Sequence, residues 1–208
     1  MQQLVFQYIR EGEHLRQDFK FAVNDSEKIA RSLSAFANTE GGRLLLGVKD
    51  NGNIVGVASD EEYYMIEAAA VRYCFPEVTF TTVEWHVQNK TVLEIDVHKS
   101  DLRPHYVTQR DGKRTAYQRV DDKNLAVNRI QLKVWQRETQ SKGALITLNT
   151  AERFILDYLQ NQHEISFNRF CKLTHLKPWQ AERILVDFIS IGLIEMVRSE
   201  QKTVYRLK

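Results

Sequence analysis

The chain has 208 residues, is 43% hydrophobic, and is nearly balanced in charge, with 29 Lys and Arg against 27 Asp and Glu. That length buries a core as one large domain or two small ones. The charge balance excludes a uniformly basic or acidic protein, so any basic face must be local. No run reaches the roughly 18 apolar residues of a membrane helix, and "MQQLVFQYIREGEH" is too polar for a secretory signal. Cys74 and Cys171 match neither a metal spacing nor a disulfide framework. The expectation is a reduced, cytoplasmic protein with no membrane partner.

In chain order, an opening strand precedes a helix over 24–39. Asn24 and Glu27 have capping-box spacing. Ile29, Leu33, Phe36 and Ala37 repeat at helical intervals, with Glu27, Lys28, Arg31 and Ser34 on the other side. Gly41 and Gly42 end the helix. "RLLLGV" does not alternate and reads as a strand buried on both faces. "DNGN" (Asp50 to Asn53) is a hairpin signal, with "IVGV" returning. A helix is expected over 60–74. Hairpins are expected around "QNK" and around Asp111-Gly112, followed by a helix over 124–138. The class is α+β, a sheet domain with helices packed on it.

A polar stretch, "RETQSKGALITLNT", sets a boundary near residue 143, giving domains 1–143 and 144–208. The second part reads as helices over 150–161, 165–174 and 178–192, then strands over 193–198 and 203–207. Three helices and a short ribbon is the winged-helix order. Pro178 suits a first helical position, and Gly192 closes that helix. Residues 144–208 carry 9 basic and 7 acidic side chains, so neither part is strongly basic.

"SAFANTEGGRLLLGVKDNGNIVGV" resembles the signature of the Schlafen/AlbA-like domain, described in bacteria as DNA-binding. "EGEHLRQDFK", "VLEIDVHKSDLRPHYV" and "YQRVDDKNLAV" resemble further motifs of that family, in the same order, over about residues 1–140. Bacterial members often carry a C-terminal winged helix. The resemblance implies a bacterial nucleic-acid-binding protein, a DNA-binding transcriptional regulator, needing no cofactor to bind.

The resemblance also implies an alternative. In animal Schlafens, three acidic residues support metal-dependent cleavage of structured RNA. The matching positions here are Glu13, Asp18 and Asp50, which would hold Mg²⁺ or Mn²⁺. The second is Asp where the animal proteins have Glu. Glu13 and Asp18 are five apart, so they converge only if the chain bends near His14 to Arg16. Asp50 has a plainer role as a turn residue. Gly41-Gly42 lacks the spacing of a phosphate loop and precedes a strand, so it reads as a helix stop with tight helix-to-strand packing.

Nucleic-acid candidates cluster on the third hairpin and its approach: Arg103, His105, Arg110, Lys113, Arg114 and Arg119, with Lys20, Lys28, Arg31 and Arg43 as additions. Phosphate contact needs such cations but no fixed spacing. Tyr106 and Tyr117 are either sheet core or stacking platforms. In the tail, the third helix would lead into a groove with Lys177, Trp179, Gln180 and Arg183. Lys172, Lys202 and Arg206 would meet phosphates. Asp187, one turn after Arg183, opposes deep insertion. A homodimer is the base-rate assembly.

Overall fold

The computed structural model describes residues 2–59, 61–138 and 148–208. The chain divides into two compact units, Met1–Val127 and Asn128–Lys208.

The first unit opens with a helix the sequence reading passed over, α1 (Gln2–Glu11). Its Val5 is buried, and Phe6, Tyr8 and Ile9 pack with it against Phe19, Leu45, Trp85 and Val92. There follow β1 (Gln17–Lys20), α2 (Ser26–Asn38), β2 (Gly42–Leu46), α3 (Glu61–Ala68) and a π-helical turn (Ala69–Tyr73). The unit closes with β3 (Cys74–Phe75), β4 (Thr81–Val87), β5 (Lys90–Val97), β6 (Tyr106–Thr108), β7 (Arg114–Val120) and β8 (Lys123–Ala126). One sheet runs β1-β2-β5-β4 and the other β3-β6-β7-β8. Only the β1–β2 pair is parallel among the strand pairs of these two sheets.

The main core joins both sheets through α2: Ile29, Leu33 and Phe36 pack with Leu44 and Ile95 of one sheet and with Cys74, Val107 and Tyr117 of the other. A helix lodged in this way keeps only a narrow water-facing edge at Lys28 and Arg31, and ten of its residues are buried, including Glu27, Ser34 and Asn38. Most of its buried polar groups are satisfied internally. Ser34 Oγ donates to the His105 carbonyl at 2.8 Å. Asn38 Nδ2 donates to the carbonyls of His105 and Tyr117, both at 2.9 Å, and Asn38 Oδ1 accepts from the His105 N–H at 2.7 Å. The helix is capped by Asp25 rather than Asn24: the Asp25 carboxylate accepts the Glu27 N–H at 2.9 Å.

β2 is buried along Leu44, Leu45 and Leu46. Its two edges are taken by β1 and β5, which leaves none for the expected returning strand. "IVGV" accordingly keeps one isolated bridge, Val48 to Ile54. The β4–β5 hairpin turns at Gln88 and Asn89, both with positive φ. The β6–β7 hairpin forms as expected, but residues 123–126 add the strand β8, and the next helix begins only at Arg129.

The second unit contains α4 (Arg129–Glu138), α5 (Thr150–Gln162), α6 (Phe167–Thr174), α7 (Pro178–Ser190), β9 (Ile194–Arg198) and β10 (Thr203–Leu207). Asn149 and Glu152 form a capping box on α5, and Ser166 caps α6. Ile130, Val134, Leu159, Phe170, Leu185 and Phe188 share its core. The sequence places the helix now called α4 in the first domain, but it packs on α7. The expected boundary at residue 143 lies outside the described residues. Among the described residues, no helix is long and apolar enough to cross a membrane.

Candidate functional site

Glu13 and Asp18 do meet. A tight reversal, with His14 N–H to Gln17 O at 3.0 Å and Gln17 N–H to His14 O at 3.1 Å, supplies the bend that their spacing requires. Glu13 also accepts the Phe19 N–H at 2.9 Å. Burial, followed by the hydrogen bond to Asp18, pushes the Glu13 carboxyl up to about 7. Burial also acts upward on Asp18, but the hydrogen bond from Glu13 and the charges of Lys20 and Arg119 outweigh it and hold Asp18 below its usual range. The pair thus shares a proton, with Asp18 as the anion.

The remaining bonds of Asp18 point inward. Its oxygens meet Lys20 Nζ at 3.0 Å, Ser32 Oγ at 2.9 Å and Arg119 Nη1 at 3.8 Å. The Arg119 side chain is 1% exposed. It donates to the carbonyls of His14 and Gln17 at 2.8 and 3.0 Å and to Asn124 Oδ1 at 3.1 Å, and its guanidinium lies 4.9 Å from the Phe36 ring centre. Arg119 is therefore withdrawn from the nucleic-acid candidates: it ties β7 to the His14–Gln17 reversal.

Asp50 stays in its exposed turn. Among the described residues, no three His, Cys, Asp or Glu side chains are placed to hold a metal ion. The donor set does not fit the Mg²⁺ or Mn²⁺ of the ribonuclease alternative, because Asp18 is engaged with Lys20, Ser32 and Arg119, Glu13 is engaged with the Phe19 N–H and with Asp18, and Asp50 does not join them. The glycine pair has a steric role. A Cβ on Gly42 would stand 2.4 Å from Phe36 Cδ1, and one on Gly41, whose φ is +70°, would stand 2.7 Å from the Val97 carbonyl.

His105 is also internal. It is 2% exposed. Nδ1 lies 2.8 Å from the Pro76 carbonyl and Nε2 lies 2.7 Å from Ser100 Oγ. A carbonyl can only accept, so Nδ1 carries the proton and Nε2 accepts from the serine. Burial lowers the ring's pKa and keeps it neutral.

The rest of the hairpin faces outward. Arg103 is half-buried. Arg110 is exposed but pairs with Asp25 at 3.0 Å, and its N–H donates to Glu27 at 3.2 Å, fastening the hairpin to the start of α2. Glu27 also pairs with Arg31. Lys113 and Arg114 are exposed. The Arg114 guanidinium lies 4.6 Å from the ring centre of Phe75, itself 56% exposed. Phe75 escaped the sequence reading; a lone aromatic after a helix carries no surface signal of its own. Tyr117 is core, with Arg31 over its ring at 5.6 Å. Lys20 is committed to Asp18, and Arg43 lies 3.4 Å from the Tyr8 ring centre.

In the second unit, Lys177, Trp179 and Arg183 are exposed at the start of α7, with Trp179 60% accessible. Gln180 spends its Oε1 on the Lys177 N–H at 3.0 Å. Arg183 leans toward Asp187 at 3.8 Å, and Asp187 also pairs with Arg137. Lys202 and Arg206 both grip Glu164, at 2.9 and 2.6 Å, so their charge is largely neutralised within the unit. A cleft of about 700 Å³ opens between the start of α5 and the α6–α7 turn, with Trp179, Arg183 and Asp187 in its wall.

A family model, Schlafen, AlbA_2, matches residues 13–128, ending where the first compact unit ends. No curated protein matches. Two solved structures are similar. One is the DIP2311 protein of Corynebacterium diphtheriae, at 22% identity over 71% of this chain and 34% of that one, with a TM-score of 0.48. The other is the N-terminal domain of an ATP-dependent DNA helicase RecG-related protein of Nitrosomonas europaea, at 22% identity over 53% and 79% of the two chains, with a TM-score of 0.37. The chain spans about a third of the length of DIP2311. With more than half of its length matched by the family model, the chain belongs to the Schlafen, AlbA_2 family.

Proposed function

We propose that the protein binds duplex DNA as a bacterial transcriptional regulator, with its second unit acting as a winged helix. The family supports a nucleic-acid-binding role. The observation that carries the finer reading is the start of α7, where Lys177, Trp179 and Arg183 stand exposed on the last of the three successive helices α5, α6 and α7 that precede the two-stranded ribbon. The N-terminal turn of such a helix leads into the major groove. Lys113 and Arg114 on the first unit add phosphate contacts. Lys202 and Arg206 contribute less, because Glu164 occupies them. A homodimer would present two such helices to a two-fold operator, and a solution mass measurement addresses that point.

The test is a titration of duplex DNA at two salt concentrations with wild type, Arg183→Ala and Lys113→Ala. Binding should weaken steeply with salt, and each substitution should reduce the salt slope by about one unit. Absence of binding at low salt sinks the reading. An unchanged slope in Arg183→Ala removes α7 from the interface.

A further inference from the structure

The strands of the second sheet in the first unit bear side chains of two characters. Directly paired residues share a face, and residues two apart on a strand share it too. Phe75 pairs with Tyr106, and Tyr106 pairs with Ala116. Arg114 and Gln118 flank Ala116 on the same side, and Gln118 pairs with Leu125. The opposite side holds Cys74, Val107, Tyr117 and Arg119, turned toward α2. By register the outer side therefore carries the exposed Phe75 and the half-buried Tyr106 with the cations Arg114 and Lys123, beside the buried Ala116 and Val120, and no strand position on it is a carboxylate. Phe75 is more than half exposed, and a planar guanidinium lies over its ring.

This combination has a specific chemistry. Exposed aromatic rings accept the π-faces of bases that are not stacked in a duplex, whereas a duplex hides those faces. Arginine adds a planar cation that stacks and meets phosphate. A surface serving only phosphate contact needs cations but no ring. We propose that this outer sheet face, centred on Phe75 and Arg114, stacks the bases of an unpaired DNA strand. The proposal rests on the nucleic-acid-binding reading above, and it gives this one sheet face of the first unit an unpaired strand to hold in addition to the duplex met by α7 and by the phosphate contacts of the hairpin.

The experiment uses the full chain and labelled oligodeoxythymidine, with fluorescence anisotropy as the readout. Phe75→Ala should weaken binding about tenfold, and Phe75→Trp should retain it, because the larger ring still stacks. A matched abasic strand should bind wild type no better than oligodeoxythymidine binds Phe75→Ala. Thermal midpoints close to wild type establish that both variants are folded. Equal binding by Phe75→Ala, or equal binding of the abasic strand, overturns the stacking face. Tighter binding of oligouridine than of oligodeoxythymidine overturns the assignment to DNA. Duplex binding and its loss in Arg183→Ala are measured in parallel. A silent Phe75→Ala with duplex binding intact overturns this inference alone, whereas no binding to either probe overturns both.

Discussion

Arg114 and Arg119 stand on the same strand, five residues apart, and an odd separation places them on opposite faces. Arg119 is sealed between the sheet and α2, where three hydrogen bonds and the nearby Asp18 hold its two Nη groups. Arg114 lies in water over a half-open ring. The same side chain thus serves as a tie beam on one face and stands exposed over an aromatic ring on the other. Charge counted along the sequence cannot separate them; burial does.

Four substitutions break or sharpen that contrast. Arg119→Ala should have the largest effect, a loss of about 3–5 kcal/mol, because it strips the buried donors from the His14 and Gln17 carbonyls and leaves Asp18 with Lys20 as its remaining ion-pair partner. Urea denaturation measures it, and a loss under about 1 kcal/mol would place Arg119 with the surface residues. Asn38→Ala should follow, at roughly 2–3 kcal/mol, since it strands the His105 N–H and takes a donor from the Tyr117 and His105 carbonyls, the latter keeping Ser34.

Glu13→Gln tests the shared proton. Glu13 titrates higher in the folded protein than its usual 4.5. Its contribution is complete below that value and is lost as pH rises through about 7. Asp18 has the opposite sign: its contribution is present above its ordinary value and is lost as pH falls through its lowered one. Glutamine keeps the acceptor for Phe19 and donates to Asp18 without titrating. Wild type should therefore lose thermal stability between about pH 4.5 and pH 7, and Glu13→Gln should lose less. Arg114→Ala should have the smallest effect on stability, under about 0.5 kcal/mol, while weakening nucleic-acid binding.

Much of the frame was legible in the sequence. The long α2, the doubly buried β2, the hairpins at Gln88-Asn89 and Asp111-Gly112, and the helix order of the second unit follow from periodicity and turn chemistry. α1 is hard to see in the sequence because it is short and no acidic residue in its first turn marks its start. β8 was absorbed into a helix because "DDKNLAV" has neither period. The cap moved one residue, from Asn24 to Asp25, since two adjacent side chains compete and backbone geometry selects one. Among the site candidates, nothing in the residue types distinguished His105 and Arg119 from Arg110 and Arg114.

By itself the sequence determined most of the elements and their order, because each depends on neighbours within a few residues; the steric need for the Gly41-Gly42 step arises from Val97 and Phe36 and belongs to the tertiary structure. The tertiary structure decided which charges face water. Lodging α2 between two sheets turned its polar side inward, drew His105 and Arg119 after it, and closed Glu13 onto Asp18 while Asp50 stayed outside. Those outcomes depend on contacts between residues as many as 105 positions apart, which no local pattern encodes.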